Sequence, residues 1–447
     1  MKTVNVFSTG QRSLVTGILV FALALLAGSL QAQIRTEYDI IDYPSPALDN
    51  PVARLQEKLA SGEVTLEYTE PFGYLESLLE ALGISPDSQT LVFSKTSLQY
   101  PQIDASRPRA LYTSDDAYIG WVRDSRVIEL TAMDSRLGAM FYVFNNNPEV
   151  SRPIERQDGR CLVCHDSNGL MGGGIPLLLV RSSLYNQRYE NLLDLSGAGN
   201  VTDSMPVSER WGGWYVTGQH GSQTHLGNIL LDDAAQLNDL DSVRQGNLDT
   251  LEGKGFFDTS RYLRPTSDIV ALMVLEHQLT VQNQLTYVRF KAPAVLERIG
   301  EAEAIDAPSW ESLSETAQRS LARMLDNLVD ALLLRDAATL EDGISGNAAY
   351  HQWFEAQGPA DAEGNSLREF DLQTRLFRYP LSYLIHSADF KDLPPLALDY
   401  VMTRLAEILQ DESAKPGPHF PALGPAEKQT ILGILEDTEP ELWAGWF

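Results

Sequence analysis

Cys161 and Cys164 stand three positions apart, and the 447-residue chain has no other cysteine. A framework of disulfides is therefore closed to it, and its stability has to come from a buried apolar core. With 43% hydrophobic and 21% charged residues it has the material for that core, and its length fits two to three domains. The cysteine pair must serve some purpose other than stapling distant parts of the chain.

The first 32 residues differ from the rest. Lys2 and Arg12 precede or border an almost wholly apolar run from Ser13 to Leu26, and small residues follow in Ala27-Gly28-Ser29-Leu30-Gln31-Ala32. This is the order of an export signal over 1–32, with cleavage after Ala32 and a periplasmic or secreted destination. The run is short for a span of about 20 residues, and no second stretch is long and apolar enough, so no stable membrane span is expected after cleavage. The formal net charge of −27 repels nucleic acid and anionic lipid, and it favours a basic protein partner or a cationic substrate. Solubility alone accounts for the same charge.

The pattern along the chain predicts an α+β fold with a mixed N-terminal part, an irregular middle and a mostly helical C-terminal part. In 33–149, a helix carries Val52, Leu55 and Leu59 and is closed by Gly62. A strand from Val64 to Tyr68 and a second helix ending at Gly83 follow. Short β-branched and aromatic runs at Leu91–Phe93, Ala110–Tyr112, Tyr118–Val122, Val127–Leu130 and Met140–Phe144 read as an antiparallel sheet. Residues 150–245 are rich in Gly, Asn, Ser and Asp and poor in period, as in a segment wrapped around something. In 246–447 the periodicity predicts helices over Asp268–Leu285, after a capping box of Ser312 and Glu315, after Pro394-Pro395, and over Ala426–Leu435.

The cysteines lie in the irregular middle, as Cys161-Leu162-Val163-Cys164-His165. In C-x-x-C-H each residue has its own chemical job. Two thiols at this spacing match the two vinyl groups of a haem and form thioethers, and the adjacent imidazole supplies the proximal iron ligand. One covalent haem c is the cofactor this implies, and its attachment after export agrees with the leader. A thioredoxin-type redox pair would want a βαβ setting and a helix start, and a zinc site would want a second pair of ligands. Downstream, Pro176 is placed like the proline whose carbonyl orients the ligand histidine in small cytochromes c.

The opposite face of the iron decides the function. Met171 follows His165 too closely to reach it, whereas Met205 has slack. The densest group of special residues is Trp211-Gly212-Gly213-Trp214-Tyr215-Val216-Thr217-Gly218-Gln219-His220-Gly221, followed by His225. His220 and His225 are candidate distal acid-base groups or ligands, and Met205 is a possible sixth ligand. Met273, His277 and Gln284 share a helix face beside Glu276. Arg181 and Arg210 could pair with haem propionates or form ordinary salt bridges.

The segments Leu91-Val92-Phe93-Ser94-Lys95-Thr96-Ser97, Arg210-Trp211-Gly212-Gly213-Trp214-Tyr215-Val216-Thr217-Gly218, His220-Gly221, His225-Leu226-Gly227-Asn228, Leu275-Glu276-His277-Gln278 and Thr374-Arg375-Leu376-Phe377-Arg378-Tyr379 resemble a family of large exported bacterial cytochrome c domain proteins with a single C-x-x-C-H. The likeness extends over most of the mature chain. It implies export and haem attachment and carries no reaction with it. The chain is several times longer than a small cytochrome c. Three readings follow: electron transfer with a redox partner protein, peroxidase- or oxygenase-like turnover of a small oxidant as a haem-dependent oxidoreductase, and ligand sensing. Electron transfer stands slightly ahead.

Overall fold

The computed structural model describes residues 36–95, 97–150, 154–166, 174–186, 191–193, 200–232, 234–307, 309–410 and 423–444. The export signal expected over 1–32 lies outside them, as do Met171 and His419. The fold is α+β. Three helices, α1 (Glu37–Ile40), α2 (Pro51–Ser61) and α3 (Leu75–Ala81), precede a meander of β1 (Thr90–Val92), β2 (Arg109–Thr113), β3 (Ala117–Val122), β4 (Val127–Asp134) and β5 (Gly138–Asn145). These are the five strands expected from the sequence. In α2, Asn50 caps the start, Pro51 occupies the first turn, and Gly62 ends it at a φ of 77°. Val64–Tyr68 forms no strand: no neighbour pairs with it, and the Glu67 amide donates to Ser77 Oγ instead.

The segment expected to be irregular is more ordered than its composition suggests. It supplies β6 (Ile154–Arg156), α4 (Asp158–His165), β7 (Leu184–Asn186), β8 (Asn191–Leu193), β9 (Trp214–Tyr215) and β10 (Leu230–Leu231). β6 and β9 close the two edges of a seven-stranded antiparallel sheet, in the order β6-β5-β4-β3-β2-β1-β9, and β10-β7-β8 form a small second sheet. Strands this short leave no period to read, and their place at the edges is fixed by pairing with distant strands.

The C-terminal half is built on α5 (Ile269–Ile299), followed by α6 (Glu315–Leu332), α7 (Ala348–Glu355), α8 (Ala388–Lys391), α9 (Pro395–Gln410), α10 (Pro425–Thr438) and α11 (Pro440–Trp443). Helix α5 runs past Leu285 because Val288, Ala292 and Leu296 prolong the buried stripe through Pro293. The cap of α6 is Ser314, whose hydroxyl accepts from Ala317 N at 3.2 Å, and Ser312 belongs to the turn before it. Among the described residues, no helix is long and apolar enough to cross a membrane.

Alternation along β5 divides the core. Met140, Tyr142 and Phe144 face the side covered by α2 and α3, with Val52, Leu55, Leu75 and Leu78. Ala139 and Phe141 face α5 and the later helices. That second cluster also takes in Val180 and Trp211, so residues from 33–149, 150–245 and 246–447 all meet in it. Leu285, wholly buried at the middle of α5, tests the arrangement: Leu285→Ala should lose about 2–5 kcal/mol of unfolding free energy by denaturant titration. A loss below about 1 kcal/mol would contradict the packing of α5.

Candidate functional site

Helix α4 leaves β6 through a pinned turn. The Gln157 amide donates to the Phe141 carbonyl at 2.9 Å. The Arg156 guanidinium bonds Asp158 at 2.7 Å and the carbonyls of Ser45 and Tyr43 at 2.8 and 2.6 Å. Cys161, Cys164 and His165 stand at positions i, i+3 and i+4, and therefore share one face of the helix. Both thiols are free; Cys161 is half-buried and Cys164 exposed.

The His165 ring is fixed from two sides. Its Nδ1 lies 2.7 Å from the Leu177 carbonyl, while the Leu177 amide donates to the His165 carbonyl at 2.9 Å. A carbonyl only accepts, so Nδ1 carries the proton and Nε2 of the neutral ring keeps its lone pair. Burial pushes the imidazole pKa down, with a smaller contribution from Arg109 against the Leu177 bond, which favours that neutral form. The Phe141 ring packs against it, centroids 4.5 Å apart. The orienting carbonyl is thus that of Leu177, one residue beyond Pro176. The carbonyl of Pro176 itself is not the acceptor. Leu178 is clamped in turn by Asn283 of α5, which accepts from its amide at 2.9 Å and donates to its carbonyl at 2.7 Å.

The Cys161 thiol is pushed up to about 11, chiefly by burial and next by the Glu129 carboxylate, which itself pairs with Arg109. A disulfide-exchange cysteine has its pKa lowered, often at a helix start. Cys161 has the opposite shift and sits mid-helix, which speaks against the thioredoxin-type alternative. Among the described residues, no group of three or more His, Cys, Asp and Glu side chains is placed to hold a metal ion.

The other candidates gather in a buried network. Arg210 spends its guanidinium on the Glu276 carboxylate and on the carbonyls of Met205 and Asp203, each at 2.8 Å. Trp211 donates its indole N–H to the second Glu276 oxygen at 2.6 Å. Burial lifts the Glu276 carboxyl to about 7, although Arg210 and Trp211 both pull it down. His277 lies 2.8 Å from the Asp203 carboxylate through Nδ1 and 2.8 Å from Ser382 Oγ through Nε2, so both its nitrogens are committed. Arg210 is thereby occupied by Glu276 and is not a free partner for a propionate. Met205 is half-buried beside this network. Along α5 the network lies seven residues from the Asn283 clamp, about 10 Å at the helical rise.

His220 and His225 form a pair, ring centroids 4.7 Å apart, and the Trp211 ring lies 5.3 Å from His225. Trp211 holds a φ of 70°, unusual for so large a side chain. Next to it, a Cβ on Gly213 would come within 2.7 Å of the Ser183 carbonyl oxygen, so only glycine fits there. The Gly227 amide donates into His225 Nδ1 at 3.0 Å, which puts the ring proton on Nε2. His220 has the other tautomer: Nδ1 bonds the Gln223 carbonyl at 2.7 Å, and Nε2 is buried without a partner. Only His220 of the pair therefore offers a lone pair.

A comparison with protein families, with curated proteins and with solved structures finds no match to this chain. Leu177, Asn283, Asp203 and Ser382 escaped the sequence because ordinary residue types carry those roles; the nearest signal was Pro176, one position before the acceptor.

The His225 pKa is depressed from 6.5 to about 3, by burial first and then by His220 and Arg244. Between those two pH values the unfolded chain holds the proton and the folded one does not, so acidification weakens the fold. His225→Gln should therefore flatten the fall in thermal midpoint from pH 6.5 to 4. Glu276 contributes with the opposite sign between 4.5 and about 7 and is common to both proteins. An unchanged slope in the variant would refute the assignment.

Proposed function

We propose that this protein is an exported c-type cytochrome, periplasmic or secreted, carrying one covalent haem attached through Cys161 and Cys164 with His165 as proximal iron ligand. The observation that carries the reading is the His165 ring: its Nδ1 is held by the Leu177 carbonyl, its Nε2 lone pair is free, and both thiols share its helix face. When bound, the haem supplies an iron centre that exchanges single electrons.

The chain's own groups do the rest. The Leu177 carbonyl fixes the plane of the imidazole and makes it a stronger donor. Asn283 holds Leu178, and so Leu177, to the long helix. The exposed Cys164 puts one attachment point at the protein surface, which suits electron exchange with a partner protein. The net charge of −27 favours a basic partner.

Electron transfer is preferred to catalysis because, of the three histidines that could act as acid-base groups, only His220 keeps a buried ring nitrogen without a partner. His277 uses both nitrogens, and the Nδ1 of His225 is filled. A carrier needs a sixth ligand, and Met205 is the candidate. The test is an optical redox titration of the matured protein with and without carbon monoxide. A single reversible one-electron wave without a carbon monoxide response is expected, and Met205→Leu should gain that response. Ready carbon monoxide binding by the unaltered protein, with peroxide turnover, would overturn the carrier reading.

A further inference from the structure

A cavity of about 150 Å³ lies against the buried network, between the Asp203 loop, the first turns of α5, and the segments at 334–339 and 374–380. Its walls include Met273, Leu334, Leu376 and Phe377, and Ala337 and Ala338 line it where larger side chains would fill the space. We propose that this cavity is a binding site for a small neutral aromatic molecule bearing one hydroxyl group, a ligand of the phenol class. The assignment is independent of haem attachment.

Size comes first. A space of this volume holds one six-membered ring and little more. The lining then selects an aromatic body, because the Met273 thioether and the Phe377 ring both make favourable contacts with an aromatic ring.

Polarity selects the hydroxyl. Asp203 lines the cavity. Its Oδ2 is taken by His277, while Oδ1 has no hydrogen-bond partner among the described residues. A carboxylate oxygen only accepts, so a ligand that answers it must donate. Charge excludes the acids. Arg210 is paired with Glu276, and Arg375 contacts Glu427 and lies 3.7 Å from Asp371. With Asp203 added, the two arginines of the lining are outnumbered by neighbouring carboxylates, and an anionic ligand would enter against them.

The experiment uses the full mature chain labelled with 13C-methyl methionine and titrated with phenol, with benzoate as the charge control. Saturable displacement of the Met273 methyl resonance by phenol is expected, with benzoate at least tenfold weaker. Ala338→Leu and Ala337→Val should each weaken phenol at least tenfold while leaving the far-ultraviolet circular dichroism unchanged. The same titration of the Cys161→Ser/Cys164→Ser protein should give the unaltered affinity, which separates this site from the haem proposal. An unmoved Met273 resonance, equal binding of benzoate, or undiminished phenol affinity in both filled variants would overturn the assignment.

Discussion

Burial on every side forces each polar group of α5 to find a partner inside the protein, because an unpaired polar group away from water costs more than a hydrogen bond returns. Of its 31 residues, 21 are buried, among them Glu276, His277, Gln278, Gln282, Thr286 and Arg289. Their partners come from all parts of the chain. Gln278 donates to the carbonyls of Ser114 and Asp115 at the β2–β3 turn and accepts from Tyr383. Gln282 bonds Asp115 and Tyr118. Arg289 pairs with Asp389 of α8 at 2.7 Å. Sheet, middle segment and C-terminal helices are thus registered on one helix.

This explains how the middle segment is ordered without a period of its own. Two side-chain fastenings stand out between it and α5: Asn283 to Leu178, and Glu276 with His277 to Arg210, Trp211 and Asp203. The first orients the candidate iron ligand through Leu177. The second buries an ion pair, a strained tryptophan and a histidine whose nitrogens are both engaged. A buried ion pair of this kind adds little net stability over an apolar replacement, yet losing one partner costs about 3–5 kcal/mol. Its effect is to fix the register of the Asp203–Trp211 loop on the helix, and with it the backbone of Met205 and one wall of the neighbouring cavity.

The sequence made the meander and the long helices legible, the strands because Tyr118–Val122 and Met140–Phe144 are short runs of β-branched and aromatic residues, the helices because residues such as Leu321, Leu325, Leu328 and Leu332 recur at helical spacing. It made Cys161, Cys164 and His165 legible because their order is chemically specific. The edge strands β6 and β9 were not legible, being two or three residues long and defined by distant partners. Nor was the pairing of Arg210 with Glu276, since an arginine and a glutamate 66 residues apart carry no sign of one another. The shift from Pro176 to Leu177 as the acceptor is a matter of one residue of turn geometry, which only coordinates resolve.

The function proposed for this protein depends on haem being joined to the two cysteines. The most direct measurement is the intact mass, under denaturing conditions, of the protein matured alongside a c-type haem attachment system. The account predicts the mass of the chain without residues 1–32 plus one haem, with the increment lost in the Cys161→Ser/Cys164→Ser protein. A mature protein whose mass is that of the polypeptide alone would contradict it.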